Sequence, residues 1–318
     1  MKPLFTWRAS PMFWIRLAGT LLAAVLVIYL LVKQWGDVAK ALQQIPAGLF
    51  LMSFCLMIVS RLAVVGRWHM LLRAARVPVS LKQSARITFA GLFANNFLPT
   101  TIGGDVARLA GTMLLGFDRA VCLASLVVDR LVGMASMAMI LPFGLPWILG
   151  STGLKGLNYL ALGMLAAGVA APGRSRVKSI QEKLLQILRR LGHALALWKE
   201  NPGSLLEALG FSWIHMICFI SIMVLLLSGM GQSISVWLVA GLWSITYFVT
   251  QLPVSINGWG VQELSMTFLF THFGGVSTES SITLALLVRT LQMLASLPGA
   301  VFIPGILAGA EREGKAGE

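Results

Sequence analysis

The sequence predicts an all-α, polytopic integral membrane protein made of two inverted-topology halves, each carrying a Pro/Gly-broken re-entrant hairpin. Three observations predict it. Of 318 residues, 57% are hydrophobic and only 12% charged, against roughly 25% charged in soluble domains. Apolar runs recur along the chain at or near the roughly 20 residues that a spanning helix needs. The stretch NNFLPTTIGGDV at 95–106 interrupts this pattern, and its spacing Leu-Pro-x-x-Ile-x-Gly returns at 252–258, an offset of 154 residues.

The elements follow in order. Residues 1–16 are basic and no small-residue cleavage site follows them, so the run 14–32 reads as a retained signal anchor. Spans are expected at 47–66, 120–145, 158–171 (short), 205–227 and 280–306, the last long enough to tilt. The apolar segment 86–98 is too short to cross and runs into the first break, and 234–252 is the entering limb of the second hairpin. Trp14, Trp35, Trp68, Trp147, Trp213 and Trp237 fall near the ends of these runs, where indole favours the water boundary. In 174–200, Val177, Ile180, Leu184, Leu188, Leu191 and Leu195 recur at helical spacing among basic residues. That segment suits a helix lying in the headgroup plane, or a soluble linker helix, with His193 on its surface. The chain is thus one membrane domain: a first half 1–172 broken at 95–105, a cytoplasmic amphipathic helix 173–200, and a second half 201–318 broken at 250–263.

Lysine and arginine set the orientation. Cytoplasmic N- and C-termini place 19 basic residues inside, against Lys33, Lys40 and Lys155 outside, leaving Arg61, Arg130 and Arg289 within the membrane. A bacterial cytoplasmic (inner) membrane location follows, and the net charge of +13 reads as loops facing anionic headgroups rather than nucleic acid. Cys55, Cys122 and Cys218 lie far apart in apolar runs, which argues against a disulfide framework or a metal site. No P-loop, HExxH or paired-carboxylate motif is present, so no catalytic residue, metal or cofactor is expected.

The breaks carry the candidate site. Pro99 and Pro253 cannot donate a backbone hydrogen bond, and the glycines at 103, 104, 258 and 260 admit unusual backbone angles. The amides and carbonyls thereby freed must face protein or a hydrated cavity, and the helix starts that follow suit an anion. Each break precedes a helix with one arginine, Arg130 in LVVDRLVGM and Arg289 in LLVRTLQML. A charge at that depth costs about 2.5–3.5 kcal/mol. The pair reads as phosphate clamps, or as ion pairs with Asp129, Glu263 or Asp105. Asp105 and Glu263 follow the glycines, where an acid stabilises a helix start; either could also bind an amine or carry a proton. Asp105 and Arg108, three apart, suit a pair on one helical face. Asn95 and Asn96 could reach headgroup oxygens or tie down the hairpin backbone. His215, deep in an apolar run, reads as a satisfied interhelical histidine before a proton relay.

NNFLPTTIGGDVARL, DRLVG and LPVSINGWGVQE before the second arginine helix resemble the lysylphosphatidylglycerol synthase transmembrane-region family, the flippase-like domain proteins. Members usually show Gly-Gly-x-Gly-x-Arg-Glu in the second motif. Here Asn257-Gly-Trp-Gly-Val-Gln262-Glu263 replaces one glycine and the arginine, which puts a phosphate contact there in doubt and points to a different lipid. The resemblance implies lipid handling and translocation between leaflets, with hopanoid or polyprenyl-linked pathways keeping the substrate open. The expected partners are anionic or zwitterionic phospholipid or polyprenyl phosphate, and lipid-biosynthetic enzymes. Synthase activity is not expected, because 318 residues leave no room for the soluble domain. A membrane transferase using Asp105 or Glu263 as base, or a scaffolding subunit, are the alternatives.

Overall fold

The computed structural model describes residues 35–97, 103–152, 201–251 and 258–304, with isolated positions at 21, 25, 27–29, 32, 33, 198 and 255. Among the described residues every regular element is helical. In chain order they are α1 (Trp35–Gln43), α2 (Ala47–Ala74), α3 (Leu81–Phe97), α4 (Gly103–Met113), α5 (Arg119–Thr152), α6 (Pro202–Gly229), α7 (Val236–Gln251), α8 (Val261–His272) and α9 (Thr278–Ser296), then a 3-10 turn at Leu297–Val301.

Four segments are long and apolar enough to cross a membrane: Ala47–Ala74, Arg119–Gly144, Pro202–Gly229 and Thr278–Val301. The protein is an integral membrane protein. The helices α3, α4, α7 and α8, with 17, 11, 16 and 12 residues, reach only about 17–26 Å at 1.5 Å per residue and fall short of a ~30 Å hydrocarbon layer. Local chemistry sets several ends. Pro202 occupies the first turn of α6, where its missing N–H is no loss. The Ser277 side chain accepts the Ser280 N–H and caps α9.

A long helix, two short ones flanking a break and another long helix thus occur twice. Both α2 and α6 have 28 residues, and an offset of 155 superposes their starts. The two pack antiparallel: Gly66 faces the Phe211 ring and Gly229 faces Leu49, with Ser60 meeting His215 between them. Ser60 and His215 are each fourteenth in their helix, so equivalent positions of α2 and α6 meet.

The short helices pack reciprocally. A Cβ on Gly299 would lie 2.0 Å from the Phe89 carbonyl oxygen, so the turn after α9 seats its backbone on α3. A Cβ on Gly144 would lie 2.4 Å from Gly241 Cα, which sets α5 equally close to α7. Each half's short helix before the break therefore packs on the other half's long helix. Phe219, Met223, Phe270 and Leu284 centre one apolar core across α6, α8 and α9. Trp68, Leu72 and Ala124 centre another, between α2 and α5.

Several expectations need correction. The span expected to end at residue 66 continues to Ala74, because Arg67 and Trp68 find buried partners and the helix has no reason to stop where apolar residues thin out. Of the arginines counted with the cytoplasmic loops, Arg108 is buried in protein and Arg67 is largely enclosed, its side chain 11% exposed. Trp68 is fully buried rather than at a boundary, Trp237 is exposed at the start of α7, and Trp213 is exposed but twelfth of 28 residues in α6, away from its ends. The last span divides into α9 and the 3-10 turn at Leu297–Pro298. The expected segments 158–171 and 173–200, and most of 14–32, lie outside the described residues. Within 173–200 only Trp198 is described: it is buried, and its Nε1 donates to the Leu71 carbonyl at 3.1 Å.

Candidate functional site

Pro99 and Pro253 lie outside the described residues, so the site is built from the helix ends around them. Before the first break, Asn95 Oδ1 accepts the Gly104 N–H at 2.8 Å. Gly103 and Gly104 are buried at the start of α4, and a Cβ on Gly104 would lie 2.4 Å from the Asn95 amide nitrogen. Asn96 Nδ2 donates to Ser296 Oγ at 2.9 Å and to the Gln292 carbonyl at 3.3 Å, both on α9. Gln251 stands 155 residues later at the end of α7, and its Oε1 accepts Arg130 Nη1 of α5 at 3.3 Å. An amide at each helix end thus reaches the opposite half's long helix.

The acid after each break meets the arginine of its own half. Arg130 Nε donates to Asp105 Oδ2 at 2.7 Å, and Nη2 donates to the same oxygen. Arg289 Nε donates to Glu263 Oε1 at 2.5 Å, while Nη2 reaches the Gly258 carbonyl at 3.2 Å. Gly258 and Gly260 have φ of 70° and 76°, so the second break needs glycine at these points. Trp259 brings its ring to 5.5 Å from the Arg289 guanidinium. The two pairs differ in environment: the Arg130 side chain is 51% exposed and that of Arg289 9%.

The first half adds a second knot of charge. Asp129, buried on α5, accepts Arg67 Nε at 2.6 Å and Arg108 Nη1 at 3.0 Å. Arg108 also lies 3.8 Å from Asp105, so the spacing-three pair exists but is the longer of its two contacts. Its guanidinium is 4.1 Å from the centre of the Trp68 ring, a cation–π contact, and Trp68 Nε1 donates to Ser125 Oγ at 3.2 Å. Arg67 Nη1 reaches Ser212 of α6 at 3.2 Å. His215 is engaged with Ser60 Oγ at 2.6 Å, as a satisfied interhelical histidine should be.

Among the described residues, several buried polar atoms have no protein partner: Nε and Nη2 of Arg108, Nε of Arg61, Nε2 of Gln262 and Oε2 of Glu263. Glu263 lines a narrow crevice with Val27, Thr267, Ile282 and Leu286. Among the described residues, five arginines of these helices (61, 67, 108, 130 and 289) outnumber the three carboxylates Asp105, Asp129 and Glu263 by two. Such a surplus, with free N–H groups in a low-dielectric interior, attracts an anion.

A family model described as the lysylphosphatidylglycerol synthase TM region matches residues 16–299. The chain belongs to that family. The match covers both breaks and every arginine described above. It makes this chain a membrane domain of the lipid-related, flippase-like class. No curated protein is similar enough to match the chain.

The sequence reading did not find Arg67, Trp68 and Ser212 as parts of this cluster. One signal was available. Asp129 sits in an apolar run and cannot be buried without a cation, and its neighbour Arg130 turns to Asp105 instead.

Proposed function

We propose that this protein moves a phospholipid or polyprenyl-phosphate headgroup across the cytoplasmic membrane while the acyl or prenyl tails stay in lipid. The observation that carries the proposal is the repeated acid–arginine pair. Asp105–Arg130 and Glu263–Arg289 follow the two breaks at matching positions, in a bundle with surplus buried positive charge.

The antiparallel packing of the equivalent helices α2 and α6 supports an inverted repeat, because a two-fold exchanging them runs across the helix axes rather than along them. Short helices flanking each break support hairpins entering from opposite faces, the arrangement that puts a transport site near the midplane. A phosphate exchanges one arginine's carboxylate for its own oxygens, and the released acid can take an amine or a proton. An anionic or zwitterionic headgroup satisfies both signs. The sequence holds no nucleotide-binding motif, so movement is downhill or coupled to protons.

Reconstitution into vesicles with a leaflet-labelled phospholipid tests this. Arg130→Ala and Arg289→Ala are each expected to abolish label exchange while the protein remains folded. Normal exchange by both variants refutes the arginine clamp. The buried, unpartnered Oε2 of Glu263 supports one other reading, a transferase using that oxygen as base. Mass spectrometry of the recovered lipid separates the two, since translocation leaves mass unchanged.

A further inference from the structure

Arg61 takes no part in either acid–arginine pair or in the Asp129 knot. It is the fifteenth of 28 residues in α2, half-way along a helix long enough to cross the membrane. The residue is 8% exposed, its Nε has no hydrogen-bond partner, and no carboxylate among the described residues pairs with it. Its sequence neighbour Ser60 makes the central contact with His215. A guanidinium at this depth is costly, and a structural role would bring it a counter-ion. None is present among the described residues.

We infer that Arg61 forms a deep subsite for a singly charged phosphate group half-way along α2. The inference rests on the lipid-translocation reading and adds a phosphate-binding residue that the acid–arginine pairs do not include. The charge balance is specific: Glu263 already neutralises Arg289, whereas Arg61 keeps one positive charge unmatched among the described residues, which one phosphodiester anion neutralises. Arg61 binds first. A phosphate approaching Arg130 or Arg289 must compete with a carboxylate already in place, whereas Arg61 offers a free N–H to the first acceptor that arrives. Recognition is therefore of phosphate oxygens, not of the alcohol beyond them.

The test uses the full chain in nanodiscs, with phosphatidylglycerol as probe and diacylglycerol as the uncharged control. Affinity, thermal stability and lipid translocation are measured on the same preparations. A hydrogen bond to a charged group contributes about 1.5–3 kcal/mol, so Arg61→Met is expected to weaken phosphatidylglycerol binding roughly tenfold or more. Arg61→Lys retains part of that affinity, and diacylglycerol binding is unchanged throughout. Arg61→Met is also expected to melt higher than the wild type, because it removes an uncompensated buried charge. Arg61→Gln supplies the same readings if the methionine variant is lost in expression. Competition by inorganic phosphate assigns the subsite to a soluble anion, and its absence assigns it to a lipid headgroup.

Wild-type affinity in both the methionine and glutamine variants overturns the inference. If those variants bind and the wild type translocates lipid, the transport reading stands alone. If binding depends on Arg61 but the wild type moves no lipid, the subsite stands and the transport reading falls.

Discussion

The two halves place the same acid–arginine pair after a break and surround it differently. Arg67, Arg108 and Asp129 form a buried knot in the first half. At the matching positions of the second half stand Ile222, Met266 and Val288, each with 0% exposure, inside the main apolar core. The pairs themselves follow suit, with Arg130 half-exposed and Arg289 enclosed. Equivalent backbone positions thus accept either a charged cluster or hydrocarbon. A buried ion cluster is rarely the more stable choice, so the first half keeps charge for something other than stability. Under the proposed function, its half-open pair is the one that yields readily to a headgroup, and the second half supplies the stiffer wall.

The sharpest way to break this comparison is to remove one member of the knot and then all three. Asp129→Val alone strands two buried guanidinium groups and should destabilise by about 3–5 kcal/mol, read as a loss of thermal stability in detergent. Importing the second half's residues together, as Arg67→Ile, Arg108→Met and Asp129→Val, should return stability to within about 1 kcal/mol of the wild type or above it. A triple variant as unstable as the single one would show that the knot holds the helices together.

A smaller difference is expected between the two acids. Glu263→Gln leaves Arg289 enclosed without a counter-charge and should cost about 2–3 kcal/mol. Asp105→Asn beside the half-exposed Arg130 should cost under about 1 kcal/mol, because water replaces the lost partner. Equal losses in chemical unfolding would erase the distinction between an open and an enclosed pair.

Smallest is the effect of the amide ties. Asn95→Ala removes the acceptor for the Gly104 N–H and should cost about 1 kcal/mol, as losing a helix N-cap does. Hydrogen exchange should then rise at the start of α4 and stay unchanged at α8.

The sequence made the membrane class, four of the long helices and the matched breaks legible, because each rests on apolar runs or on proline and glycine. It also brought Asp105, Arg130, Glu263 and Arg289 forward as a set, and the structure joins them pairwise. The Asp129 knot was not legible. Arg67 follows the apolar stretch of α2 and reads as a loop cation until Asp129, 62 residues away, is known to face it. Trp68 was misplaced for the same reason: an aromatic at the edge of an apolar run suits a membrane boundary, and only tertiary packing slides Arg108 over its ring. Arg61 was recognised as intramembrane, but its lack of a counter-ion can be read only from the surrounding helices.

The contact between Ser60 and His215 carries a consequence for how such a chain can be assembled. Two copies of the first half alone would bring serine against serine there and double the knot of cations. Two copies of the second would oppose imidazole to imidazole and lose Arg61 altogether. A hydroxyl meeting a ring nitrogen at the fourteenth residue of each helix requires unlike partners, so this contact needs α2 and α6 of one polypeptide.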